Sequence, residues 1–492
     1  WGRARLTLTY ADGTDQVVSY WITKPADQVV ADLGRFLSTK AWYENPNDPF
    51  GRSPSPMSYD REIDGPVLQD SRAWIAGLGD EGGGGNWLAF AMKQFGQPVS
   101  EEVAKLEAFV NQVVWGRLQY NEGPLKYGVR KSLFYYDPKV KPDFPYDPKF
   151  NWTSWTSWNK AHADEVGRGF NYPHVVAAYW SLYRVARHNP EMVRARDWAW
   201  YLEQAYQTVM FLTSKSPQGW DAVGYWRLGL MGGTVFVKLL EDLRKEGWTE
   251  KAAQLEARMK ERADRWKNEP FPFGSEMPWD STGQEEVHAW CRHFGYDDKA
   301  IVTLNSVLAY MPTVPHWGYN GNARRYWDFL YAGKLSRIER QIHHYGSGMN
   351  ALPVLKEFRR NPRDLYLLRV GYGGMMGPLS NIDQEGFASA AFHSFPQTLK
   401  WDAYSGDYGP NFLGHSLETA TYLVETKDWG WQAFGGEVSR SGDWVVVKPR
   451  DSYRRRVFVA PVGKMIEVNR GRIEEVRFNV RTKEVRSVPS SG

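Results

Sequence analysis

The chain has 492 residues, enough for one large domain with appendages or for two or three ordinary ones, and core size is not limiting at this length. Its 61 basic and 57 acidic residues leave a formal charge of +4, too weak a field for nucleic acid but suited to an acidic small ligand or glycan. The excess lies in aromatic residues: 24 Trp, 27 Tyr and 23 Phe make up 15 % of the chain, and such rings either fill a large core or offer flat faces to hydroxylated ligands such as sugars.

The first segments, "RARLTLTY" (3–10) and "QVVSYWIT" (16–23), alternate polar and apolar residues, and "ADGTD" joins them with an Asp-Gly turn. An isolated hairpin is marginally stable. Residues 1–24 are therefore expected to belong to an N-terminal β domain completed by residues or a chain outside this one, or else to pair with the C-terminal strands. After Lys24-Pro25 the pattern turns helical, beginning with "ADQVVADLGRFLSTKAW". Residues 44–66 read as a loop. "GLGDEGGGG" (77–85) lacks the Lys and Ser/Thr of a P-loop and reads as a tight loop.

Helical segments follow near 86–95, 101–116, 171–188, 196–212, 234–245, 250–266, 285–294, 298–309, 347–358, 363–371 and 413–425. In 171–188, Val175, Tyr179, Leu182 and Val185 share one face. Long loops rich in Gly, Pro and aromatics separate many of these segments, among them "LFYYDPKVKPDFPYDPKFNWTSWTSWN". No repeat of solenoid length is evident. The alternation predicts a closed ring of helical hairpins over 25–430, with short connections on one face and long loops building a site on the other. From about 431 to 492 strand patterning returns and predicts a small C-terminal β element.

The acids gather in three places. "PWDSTGQEEVHAW" (278–290) holds Asp280, Glu285, Glu286, Trp279 and Trp290, with Glu276 just before it. Thr282-Gly283-Gln284-Glu285 fits a capping box, in which Glu285 reaches back to the Thr282 N–H. That role leaves Glu276, Asp280 and the tryptophans unexplained. Glu286, about 100° further round the helix, is expected to tolerate substitution if Glu285 faces a pocket. "SNIDQEGFASAAFH" (380–393) holds Asp383 and Glu385, and "WDAYSGDYGPNFLGH" (401–415) holds Asp402, Asp407, Tyr404, Tyr408 and His415. "HWGYNGNARRYWDF" (316–329) adds Trp317, Tyr319, Arg324 and Arg325, and His174 follows Pro173 at a helix start.

Two-carboxylate sugar chemistry needs one acid to protonate the leaving oxygen and a second to activate water or attack. Glu285, Glu276 and Asp280 are candidates for the first role and Asp383 or Glu385 for the second, with Trp279, Trp317, Tyr319, Trp401, Arg324, His174 and Tyr408 to bind substrate. The two acid loops are expected to converge on one pocket. Elimination on a uronic-acid glycan would instead use His174, Tyr319, Arg324, Tyr408 and His415. Adjacent His343 and His344 face different ways on a helix, so no metal and no cofactor is expected. The single Cys291 excludes an intrachain disulfide, and no apolar run is long enough to span a membrane.

"GRARLTLTYADG", "WITKPADQVVADLGRFL", "VLQDSRAWIAGLGDEGG", "SEMPWDSTGQEEVHAW" and "SNIDQEGFASAAFHSFP" carry a resemblance. The chain resembles, over nearly all its length, a family of large secreted bacterial and fungal proteins bearing a domain of unknown function. That family is grouped with the six-hairpin, (α/α)6-barrel glycosidase superfamily. The resemblance implies a mainly α fold, an (α/α)6 barrel preceded by a β-sandwich, and an extracellular enzyme acting on carbohydrate, with no nucleic-acid or membrane partner expected. It fixes no catalytic residue. The residues favour a glycoside hydrolase, with a polysaccharide lyase as the alternative and a non-catalytic glycan-binding protein third.

Overall fold

The computed structural model describes residues 2–272, 283–310, 341–342, 346–390, 392–394 and 399–490, apart from positions 80, 217 and 407. Its described part is mainly helical. Helices of ten residues or more are α1 (Ala26–Ser38), α2 (Glu81–Gly96), α3 (Ser100–Phe109), α4 (Tyr172–His188), α5 (Trp198–Leu212) and α6 (Thr234–Lys245). They continue with α7 (Thr249–Lys267), α8 (Gln284–His293), α9 (Asp297–Tyr310), α10 (Gly346–Arg360), α11 (Leu365–Met376) and α12 (Tyr408–Glu418).

The even-numbered helices contact one another in order, α2 to α4, α6, α8, α10 and α12, and α12 returns to α2. Odd-numbered helices pack against their neighbours in sequence, as α5 does on α4 and α11 on α10. Buried apolar side chains of α2, α4, α6, α8 and α12, with Met349 and Leu352 of α10, merge into one core, and part of the aromatic excess goes there. Trp87, Trp180, Trp226, Trp266 and Trp290 are all buried in it. Polar bonds tie adjacent even helices as well. Trp180 on α4 donates to Asp242 on α6 at 2.9 Å, and His288 and Arg292 on α8 hold Glu357 on α10 at 2.9 and 2.7 Å.

Helix α12 closes the series through two glycines. A methyl on Gly409 would overlap the backbone of Gly85 on α2, and one on Gly414 would overlap the backbone of Gly348 on α10. These crossings explain why "GGGG" is not the loop expected from the sequence. Glycine weakens a helix by about 1 kcal/mol per residue, but Gly83 and Gly85 let α2 seat against Trp74, Leu78 and Gly406, where no side chain fits.

Two other helix readings are corrected. The predicted 101–116 helix ends at Phe109 and passes into a wider turn over Val110–Val114. The predicted 413–425 helix ends at Glu418, and a strand begins at Thr421. Arg456 causes the stop: its guanidinium donates to the Leu417 and Ser416 carbonyls at 2.6 and 2.9 Å, satisfying the orphan acceptors of the helix end.

The C-terminal β module therefore starts ahead of residue 431. One four-stranded sheet runs in the order Gly430–Phe434, Thr421–Thr426, Arg456–Val459, Lys464–Glu467. The other runs Gly436–Ser441, Trp444–Pro449, Arg472–Asn479, Val485–Ser490. Leu423, Val445, Val447, Val457, Ile473, Val476 and Phe478 fill the space between them. The N-terminal hairpin, β1 (Gly2–Thr9) and β2 (Asp15–Ile22), forms a two-stranded sheet and does not join the C-terminal strands. Its face bearing Leu6, Leu8, Tyr20 and Ile22 is exposed.

The α12 crossings yield a direct stability prediction. Gly414→Ala should lower the free energy of unfolding by roughly 1–3 kcal/mol, the usual scale of overpacking, read as a shifted urea midpoint with an unchanged far-ultraviolet spectrum. A neutral substitution would show that α10 and α12 are not held at this distance.

Candidate active site

The connections between the helices alternate in length. Short ones, 97–99, 189–197, 246–248, 294–296 and 361–364, leave the C-termini of even helices, whereas 39–80, 110–171, 213–233, 268–283, 311–345 and 377–407 lead into their N-termini. Those N-termini share one end of the helical domain. Gly84 and Gly85 of α2 lie against His174 of α4 and Tyr408 of α12, Gly232 at the start of α6 lies against Pro173 of α4, and Gly348 of α10 lies against Asn411 of α12. Helix α8 joins them through Glu285 and Glu286.

Glu285 is 2 % exposed. Its Oε2 accepts the Thr234 N–H at 3.1 Å and a close bond from the Thr234 hydroxyl. It caps the neighbouring helix α6; Thr282, whose N–H the capping box would bind, lies outside the described residues. Helix α8 starts from Gly283, whose φ of +94° belongs to the left-handed region that glycine favours. Burial is the largest influence on the Glu285 carboxyl and raises its pKa to about 8; the adjacent Glu286 charge acts the same way, and the Thr234 bonds oppose both without reversing them. A carboxyl in this state is protonated at neutral pH and able to donate a proton.

Glu286 is not the substitution-tolerant residue expected from its place on the helix. It is fully buried and forms a two-pronged ion pair with Arg262 of α7, which is 1 % exposed. Its Oε2 also accepts the Leu230 N–H at 2.7 Å, and Arg262 donates to the Leu228 carbonyl at 2.6 Å. Together the two carboxylates fix the segment that enters α6. Sequence pattern did not single out Arg262 or Thr234, because an arginine in a charge-rich helix and a threonine at a helix start each have an ordinary local use.

Asp383 and Glu385 lie in the 377–407 connection. Both pair with Arg61, at 2.5 and 2.8 Å, and Asp383 Oδ1 accepts the N–H groups of Glu385 and Phe387 at 2.9 Å, holding a turn. That turn rests on α1, where Gly386 abuts the Asp32 carbonyl. No contact among the described residues brings Asp383 or Glu385 to Glu285. Tyr408 is buried and donates to the Pro378 carbonyl at 3.0 Å; burial holds its pKa well above the ordinary value. His415 is buried between the Met375 carbonyl and the Ser452 hydroxyl, at 2.7 and 2.8 Å, and burial drives its pKa down to about 4. Trp401 is half-buried in a strand opposite Phe392. Glu276, Trp279, Asp280, Trp317, Tyr319 and Arg324 lie outside the described residues, as do His343 and His344.

His174 stands on the first turn of α4 at the end where the N-termini meet, 1 % exposed. Its Nδ1 lies 2.9 Å from the Phe170 carbonyl. A carbonyl only accepts, so Nδ1 carries the hydrogen of this bond. On α2, α8, α10 and α12, side-chain atoms Asn86 Oδ1, Glu285 Oε1, Asn350 Nδ2 and Asn411 Nδ2 are buried without a hydrogen-bond partner among the described residues. All four belong to the first two turns of their helices. Among the long connections, Trp155 and Trp220 present 69 % and 76 % of their surface to solvent. Aromatic content signalled such residues, but nothing in the pattern separated them from tryptophans such as Trp74 and Trp158, which pack into a local core with Phe50, Phe134 and Tyr404. Among the described residues no group of three or more His, Cys, Asp or Glu could hold a metal ion, and no helix is long and apolar enough to cross a membrane.

A solved structure described as a polysaccharide lyase shares this fold with a TM-score of 0.62 and 18 % identity, over 85 % of this chain and 56 % of that one. The present chain thus spans a little over half the length of that protein. The chain belongs to the family described as "Family of unknown function (DUF5695)", whose model matches residues 1–489. No curated protein matches it in sequence.

The carboxylate pair on α8 yields two predictions. Glu286→Gln leaves Arg262 buried and unpaired and should destabilise the protein by roughly 3–5 kcal/mol, measured by urea unfolding. Glu285 titrates higher folded than unfolded, so its protonated form contributes stability that is complete below its ordinary value of 4.5 and lost as pH rises through about 8. Over that window the wild-type protein should lose stability relative to Glu285→Gln by of order 1 kcal/mol per pH unit. Parallel pH profiles for the two proteins would contradict the buried-acid assignment.

Proposed function

We propose that the protein is a carbohydrate-active enzyme that cleaves a uronic-acid glycan by β-elimination, at the end of the helical domain where the six N-termini meet. The observation that carries this reading is the cyclic contact series of even-numbered helices with its six long connections at one end. We read the series as the inner ring of a six-hairpin barrel and the odd-numbered helices as its outer ring. Helix N-termini carry partial positive charge and outward-pointing N–H groups, which favours a carboxylated sugar there. Likeness of fold to a polysaccharide lyase supports the same choice. Asp383 and Glu385 are engaged by Arg61 and a turn, which leaves them less suited to activating water.

In elimination a base removes the proton on C5 of the uronic acid. The electron pair left behind forms the C4–C5 double bond, the C4–O bond breaks, and the departing oxygen takes a proton from an acid. His174 suits the base, because it stands at the end where the N-termini meet and its Phe170 bond holds the ring with Nδ1 as donor. Tyr408 and His415, candidates of the same kind, are built into the core. Tyr319 and Arg324 remain candidates for the acid and for binding the carboxylate. Trp155 and Trp220 suit stacking on sugar faces. One observation favours the second reading, a glycoside hydrolase: Glu285 is an acid kept protonated by burial, as a hydrolytic proton donor would be.

The two readings differ in product. On polyuronates and uronic-acid-containing glycosaminoglycans, elimination should generate the near-ultraviolet absorbance of the unsaturated product, and His174→Gln should lower kcat/KM by roughly 10²–10⁴-fold with the fold retained. Cleavage without new absorbance, abolished in Glu285→Gln and unaffected in His174→Gln, would establish hydrolysis instead.

A further inference from the structure

Two open clefts of about 480 and 470 Å³ lie on the C-terminal β module, the second at its seam with the helical domain beside the C-terminal ends of α2 and α4. Glu474 lines both, so they form one groove. The first runs along the outer face of a β sheet past Lys448, Arg450, Arg454 and Arg477. The second continues past Arg455, Arg470 and Arg472 to the α2–α3 connection and the segment following α4.

Several of these cations are matched: Arg450 by Glu437, Arg454 by Asp27, Arg470 by Glu191 and Arg477 by Glu475. Three are not. Lys448 and Arg455 have no carboxylate partner among the described residues, and Arg472 has only a 4.0 Å approach to an Asp27 already held by Arg454. Arg455 is the informative one. It makes a single described hydrogen bond, Nη1 to the Phe95 carbonyl at 3.0 Å. Its pKa falls to about 10, chiefly through burial, with Arg184, Arg456 and Arg472 adding like-charge repulsion. A half-buried guanidinium without a counter-charge is costly, and a planar anion that accepts two parallel N–H bonds relieves that cost.

We propose that this groove is a second carbohydrate site that binds the carboxylate or sulfate groups of an acidic polysaccharide, away from the reacting end and independently of cleavage. The inference rests on the reading that the substrate is an acidic glycan. Glu474 and Glu475 favour a polysaccharide over a nucleic acid, because sugar hydroxyls donate to carboxylates whereas closely spaced phosphates are repelled by them.

Affinity electrophoresis of the full chain in native gels containing polygalacturonate, chondroitin sulfate or neutral dextran tests this. His174→Gln serves as the background, so that cleavage does not alter the matrix. The two acidic polymers distinguish carboxylate from sulfate recognition, and either should retard the protein while dextran does not. Adding Arg472→Glu should weaken retardation by about tenfold or more, and Arg455→Met should do the same if it folds. Arg244→Glu, an equal charge change outside the groove, should retain it. Absence of retardation on both acidic polymers, or equal loss with Arg244→Glu, would overturn the groove. Retardation lost with the Arg472 and Arg455 changes but kept with Arg244→Glu, in a protein whose wild type cleaves no acidic glycan, would uphold the groove and refute the elimination reading.

Discussion

Two carboxylates enter the interior side by side on the first turn of α8, and much of the arrangement around them follows from the cost of burying them. Glu286 stays acceptable there because Arg262, equally buried, supplies a guanidinium of matching geometry. That pairing ties α7 to α8 and, through Leu228 and Leu230, aligns the chain that becomes α6. Glu285 has no cationic partner among the described residues. It meets the N-terminal N–H of α6 instead, and burial keeps its proton. One dipeptide thus sets the relation of three helices and leaves a neutral acid at the end where the long connections arrive.

The same end is shaped by the absence of side chains. Gly85, Gly348, Gly409 and Gly414 let α2, α10 and α12 approach closely, which draws the N-termini of the contact series together. Dipoles that converge in this way create a region of positive potential without a cluster of lysines. That agrees with a near-neutral chain whose proposed ligand is acidic. The β module packs on α10 and α11 and is anchored where Arg456 satisfies the carbonyls at the end of α12.

Most helices were legible in the sequence because their apolar faces repeat at helical spacing, as in α4, where Val175, Tyr179, Leu182 and Val185 are all buried. The alternation of short and long connections was legible as well. The helix at "GGGG" was not, since glycine reports a close crossing only when its partner, here Gly406 to Gly409, is known. The clustered acids showed the same limit. Sequence spacing located Glu285 and Asp383 but not the partners that define them, Thr234 and Arg61, which are distant along the chain and ordinary in local pattern. A capping motif was visible at Thr282–Glu285; that the carboxylate would cap α6 required the tertiary fold.

The central claim, that bond cleavage at this end proceeds by loss of a sugar proton without addition of water, is tested most directly by the masses of the products. A defined uronic-acid oligosaccharide is cleaved briefly in water enriched in heavy oxygen, and the fragments are weighed by mass spectrometry. Elimination predicts fragments whose masses sum to that of the parent, with no heavy oxygen introduced by cleavage. Fragments that together exceed the parent by one water, carrying the heavy isotope at the newly formed end, would contradict it.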